Sequence, residues 1–135
     1  MGAKCLSEKI SSSHSILQFL DLGSNDITDL GVQHVVEMLK RNQTLTFLSL
    51  SFNDIGNQGI QLLVNAILLK KSNLRELHLN GNRLIDDLSA DCLVQMIENN
   101  RPLKRFRIDN CNLSKKSKRK LRRTVRWKLF LSIHT

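Results

Sequence analysis

The side chains able to do chemistry are few and far apart. Four histidines (His14, His34, His78, His134) and three cysteines (Cys5, Cys92, Cys111) fall in separate regions of the chain. None of them stands at a spacing that would hold a metal ion. An odd thiol count suits free cysteines in a reducing compartment, cytosol or nucleus, rather than a disulfide framework. No glycine-rich phosphate loop and no nucleophile elbow is written in the chain. Asp21, Ser49 and His78 are of the types that build a nucleophile–base–acid relay. The repeat that carries them places Asp21 and His78 two strands apart, roughly 9–10 Å at standard strand spacing. Nothing supplies a pocket beside them. The sequence therefore points to no catalytic residue, no metal, no cofactor and no enzyme.

The elements that position these residues come from one leucine-spaced pattern. Four copies of the frame L-x-x-L-x-L-x-x-N/C-x-L read LQFLDLGSNDI (17–27), LTFLSLSFNDI (45–55), LRELHLNGNRL (74–84) and LKRFRIDNCNL (103–113). They start 28, 29 and 29 residues apart. This period and frame predict an α/β solenoid of about four leucine-rich repeats, with short parallel strands on the concave face and helices on the convex face. Frame positions 1, 4 and 6 point inward: Leu17, Leu20, Leu22; Leu45, Leu48, Leu50; Leu74, Leu77, Leu79; Leu103, Phe106, Ile108. One repeat cannot bury its own apolar side, so the copies must stack.

Position 9 carries Asn25, Asn53, Asn82 and then Cys111. A buried turn leaves backbone groups that need partners, and an asparagine offers both donors and acceptors. These four residues are read as a structural ladder between turns. Thr28, Asn57 and Asp86 or Asp87 are the expected helix N-caps. The expected helical stripes are Val32, Val35, Val36, Leu39; Ile60, Leu63, Val64, Ile67; and Leu88, Leu93, Met96, Ile97. Gly31 and Gly59 fall six residues after the ladder Asn, where the third copy has Leu88 and one extra residue.

Repeats of 28–29 residues with full helices, and segments such as EMLKRNQTLTFLSLSFNDIGNQGIQLLVNAI, resemble the ribonuclease-inhibitor-like subfamily of leucine-rich repeat proteins. That subfamily includes ribonuclease inhibitor, the Ran GTPase-activating protein, the C-terminal part of tropomodulins and the sensor ends of NOD-like receptors. The resemblance covers about residues 15–126 and implies a fold. It does not choose among those functions, because the shared residues are structural.

Function must then lie in what the strands hold outward. Frame positions 3, 5, 7 and 8 are expected to face away from the core. Phe19, Phe47 and Phe52 make the first half of this face apolar; Glu76, His78, Arg105 and Arg107 charge the second half. Clustered aromatics beside arginines are the usual anchors of protein interfaces. These seven residues are the expected contact set for a partner protein.

Charge is concentrated at one end. Residues 1–111 hold 12 Lys+Arg and 12 Asp+Glu, whereas 112–135 hold 9 Lys+Arg and no acid. The basic run contains Lys115, Lys116, Lys118, Arg119, Lys120, Arg122, Arg123 and Arg126. Leu121, Val125 and Leu129 form one narrow stripe, as on a capping helix with a charged outer side. Such a run is also a candidate for RNA or DNA contact, for importin recognition or for an anionic membrane surface, with Trp127 and Phe130 close by. A cytoskeletal or ciliary scaffold rests on the resemblance alone.

The expected organisation is an N-terminal segment at 1–14, read as the remnant of a repeat helix; repeats at 15–113; and a basic capping helix and tail at 114–135. No polar cap precedes Leu17, so the first stacking edge is a candidate for self-association. No window approaches the ~18 apolar residues a membrane span needs. MGAKCLSEKISSSHS lacks the apolar core of a signal peptide. The expected place is intracellular, cytoplasmic or nuclear.

Overall fold

The computed structural model describes residues 16–69 and 72–125, and the backbone of Phe130–Ser132. Expectations that fall on residues 1–14, Arg126, Trp127, Leu129, His134 or the Phe130 side chain lie outside the described residues.

Five strands pair in chain order into one parallel sheet: β1 (Phe19–Asp21), β2 (Phe47–Ser49), β3 (Glu76–His78), β4 (Arg105–Arg107) and β5 (Phe130–Ser132). Parallel neighbours cannot be joined by a tight hairpin, so each connection must cross over. The crossovers here are helices: α1 (Asp29–Arg41), α2 (Asn57–Leu69), α3 (Ala90–Asn99) and α4 (Lys115–Thr124). Leu20, Leu48, Leu77 and Phe106 lie opposite one another in register, as the frame requires. They are buried together with Leu50, Leu79 and Ile108, and with Val32, Val35, Ile60, Leu63, Leu93 and Met96 from the helices. The first copy is less enclosed, with Leu17 and Leu22 only partly buried. The sheet's alternation is short. Only positions 3 to 5 are strand, and by position 7 the chain has turned: Ser51 and Asp109 are buried, contrary to the outward facing expected of that row.

Position 8 has the same backbone in every copy. Ser24, Phe52, Gly81 and Asn110 all adopt a left-handed φ, between 56° and 73°. Glycine and asparagine take this conformation readily; an aromatic residue does so at a cost of about 1–2 kcal/mol.

The third copy departs from the frame. Leu84, at the frame position where Ile27, Ile55 and Leu113 are buried, is 59% exposed, and Ile85 takes its place at 0%. The extra residue shifts everything after it by one. Leu88 is therefore 81% exposed in a 3-10 turn (Asp87–Ser89), not part of the apolar stripe, and Ser89 occupies the buried site. That site takes a small residue in every copy: Gly31, Gly59, Ser89 and Ser117. A Cβ on Gly31 would come within 2.7 Å of Ile27 Cγ2.

The helix starts also differ from expectation. Thr28 flanks α1 but makes no side-chain capping bond, Asn57 is the first residue of α2 rather than its cap, and Asp86 caps the 3-10 turn by accepting from the Leu88 amide. α4 is the helix expected of the basic run, with Ser114 as its N-cap and Leu121 and Val125 inward. The chain then enters β5, which pairs with β4 and sets Phe130 opposite Arg105. The segment read as cap and tail thus opens a further strand. No helix among the described residues is long and apolar enough to cross a membrane.

Candidate functional site

On the concave face, β1 to β4 carry Phe19, Phe47, Glu76 and Arg105 in one row, and Asp21, Ser49, His78 and Arg107 in the next. The rows are connected. Phe19 and Phe47 stack with ring centroids 3.9 Å apart and planes within 5°. His78 meets the edge of Phe47 at 5.0 Å. Its Nε2 lies 2.7 Å from Glu76 Oε1, and Glu76 Oε2 lies 3.5 Å from Arg105 Nη1. An apolar slab therefore passes through an imidazole into an ion pair. The slab presents one open flank, since Phe19 is 60% exposed while Phe47 is half-buried. Arg105 and Arg107 are exposed beside it.

Asp21, Ser49 and His78 do not form a relay. Asp21 Oδ1 accepts from the Gly23 amide, Ser49 is buried, and His78 is engaged by Glu76. No three His, Cys, Asp or Glu among the described residues gather as a metal site.

Phe52 is not part of the slab. It sits past the end of β2, in the turn, with its ring against Gly81. A Cβ at Gly81 would overlap that ring, so the glycine answers both the left-handed φ and the close approach. Phe52, Gly81, Arg83, Asn110 and Lys118 line an open cleft of about 640 Å³ on the rim of the solenoid.

The basic helix has two unlike sides. Lys120 pairs with Asp91 of α3, and Lys116 lies near Asp87. Hydrogen bonds from the Ser117 hydroxyl and the Ser114 amide hold the Asp87 carboxyl below its usual range. Lys115, Lys118, Arg119 and Arg122, at helical spacing i, i+3, i+4, i+7, line a second cleft of about 350 Å³. Arg123 is also exposed.

The turns are tied across repeats by position 9. Asn53 Nδ2 donates to the carbonyls of Leu22, Leu50 and Ser51, and its Oδ1 accepts from the amides of Asn25 and Ile27. Asn82 does the same one repeat on, with Leu50, Leu79 and the Ile55 amide. Asn25 is exposed, and its side chain donates to the Gly23 carbonyl two residues away. Cys111 Sγ donates to the Leu79 carbonyl at 3.4 Å. Burial pushes this thiol up to about 11.

The family profile described as "Leucine Rich repeat" matches residues 14–35, 41–64 and 70–94, more than half of the chain. The chain belongs to the leucine-rich repeat family. No curated protein matches its sequence. Among solved structures, the domain titled "Leiomodin-1 Actin-Binding Site 2 (ABS2)" superposes with a TM-score of 0.79 at 14% identity, covering 96% of this chain and 77% of that one. The tropomodulin C-terminal domain of Caenorhabditis elegans superposes with a TM-score of 0.69 at 12% identity, covering 93% and 92%. At such identities the likeness is one of fold.

This leucine-rich repeat protein also has ties the frame alone does not announce. Asp29 Oδ1 accepts from the Gly56 amide, Asn57 Oδ1 from the Asp86 amide, and Asp87 Oδ1 from the Ser114 amide. Each joins the start of one helix to the entry of the next repeat, 27 to 29 residues on. The signal was present in the sequence as Asp, Asn, Asp at equivalent positions, but each is also an ordinary helix-start residue. A further bond closes the descents into β2 and β4, where Asn42 Oδ1 accepts from the Leu45 amide and Asn100 Oδ1 from the Leu103 amide; at β3 the Ser72 hydroxyl accepts from the Leu74 amide.

Proposed function

We propose that this leucine-rich repeat protein is a binding module that seats a partner protein on its concave face and performs no chemistry there. The observation that carries the reading is the joined slab and ion pair, Phe19–Phe47–His78–Glu76–Arg105. An exposed, flat aromatic surface bordered by arginines matches the make-up of interface centres. Phe19 and Phe47 supply the aromatic anchor that a partner would cover. Arg105 and Arg107 lie at the border, where charge governs the rate and selectivity of encounter. Because Glu76 already engages Arg105 and His78, the row is held in place before a partner arrives, which limits the ordering cost of binding.

Actin is the first partner to test, because the leiomodin domain of the same fold is titled an actin-binding site. The experiment is co-sedimentation with actin filaments, together with monomeric actin in ultracentrifugation, using wild type and an Arg105→Glu, Arg107→Glu variant. Binding that falls tenfold or more in the variant supports both the face and the partner. Binding indifferent to the variant contradicts the face, and no binding at all removes actin and sends the same pair of proteins to affinity capture.

A further inference from the structure

The rim cleft and the cationic side of α4 are one continuous surface, because Lys118 lines both. Along it stand Arg83, Lys118, Lys115, Arg119 and Arg122, with the exposed ring of Phe52 at one end. No acidic residue lines either cleft. Asp91 pairs with Lys120, and Asp87 lies near Lys116. Phe52 is held in a backbone conformation that costs an aromatic residue free energy, at a frame position where the third copy has glycine. Its ring rests on Gly81 and remains 59% exposed.

We infer that this rim binds single-stranded nucleic acid, with the phosphates running along Arg83, Lys118, Arg119 and Arg122 and a base stacked on Phe52. A row of cations beside an open aromatic ring is the arrangement by which such strands are held without regard to sequence. The cationic stripe spans about 10 Å from Lys115 to Arg122 at 1.5 Å rise per residue, the length of roughly two nucleotides. An acidic peptide would use the cations but has no call on a flat ring. A duplex keeps its bases stacked on each other. The surface is separate from the concave slab, so this inference stands or falls independently of the function proposed above.

The test is fluorescence anisotropy with a labelled oligothymidylate of about 12 nucleotides, within the range of site sizes of single-strand binders. Binding is expected at low salt, with log K falling against log[salt] at a slope of about −2 for about three phosphate contacts. Phe52→Leu, which keeps bulk and apolarity but removes the flat ring, is expected to weaken binding about tenfold, and Phe52→Tyr to restore it. Lys118→Gln with Arg119→Gln is expected to weaken binding and flatten the salt slope by one to two units. Phe19→Ser with Phe47→Ser should leave it unchanged. No binding at low salt overturns the inference. So does a duplex bound as tightly, polyglutamate competing as well as the oligonucleotide, or a folded Phe52→Leu protein that binds like wild type.

Discussion

Phe47 lies flat on Phe19, 28 residues away in the chain, with the ring planes 5° from parallel. Parallel pairing of β1 and β2 in register sets these two side chains side by side. The stack is a surface feature: Phe19 is mostly exposed and Leu20, the next residue, carries the burial. Phe19→Ala is therefore expected to cost only about 0.5–1.5 kcal/mol, the worth of an aromatic pair. Leu48→Ala, in the fully buried row beneath, is expected to cost about 2–5 kcal/mol. Urea unfolding of the two variants measures both.

Asn53 and Asn25 hold the same frame position and should differ sharply. Asn53 satisfies buried carbonyls and amides in two repeats, and each group left without a partner costs about 1–3 kcal/mol. Asn53→Ala should lose at least about 3 kcal/mol, by the same reckoning. Asn25→Ala, an exposed residue with one local bond, should lose under about 1 kcal/mol. Equal losses would show that the ladder does not depend on stacking against a preceding turn.

Phe52 is expected to be stabilised by removal. Phe52→Asn keeps a side chain suited to left-handed φ and should raise stability by about 0.5–1 kcal/mol, seen as a higher Tm. A fall would mean that the Gly81 contact outweighs the backbone strain.

Cys111 gives a pH dependence of known sign. Its folded pKa is raised from 9.0 to about 11, chiefly by burial, so the folded state disfavours the thiolate. Its contribution is present in full below pH 9 and is lost as pH rises through about 11, because only the unfolded chain ionises freely in that window. Urea midpoints from pH 8 to 11 should fall more steeply in wild type than in Cys111→Ala. Alkylation of this thiol at neutral pH should be slow in the native protein and fast in urea.

The repeat, its register and its inward leucines were legible because a 28–29-residue period admits little else. What was not legible came from single residues. The inserted residue near Ile85 moved Leu84 and Leu88 outward, which a fixed frame could not represent. In that repeat the Ile85 amide donates to the Asn82 carbonyl, whereas the Ile55 amide donates to the next ladder side chain. The Ile85 amide therefore does not call on a side chain at position 111, and Cys111 keeps the bond to the Leu79 carbonyl. Strand alternation points Ser51 and Asp109 outward, yet the strand ends two residues earlier and the turn carries them in. Residue type alone puts Phe52 with Phe19 and Phe47, whereas a left-handed backbone sends it to the rim. β5 was hidden because a basic helix directly before it suggested an end.

The most direct test of the concave reading is one protein measured twice. Phe19→Ser, Phe47→Ser should keep the wild-type far-ultraviolet circular dichroism and a cooperative unfolding transition while partner capture falls tenfold or more. A variant that unfolds would show the rings to be core, and one that captures the partner undiminished would show the slab to be idle.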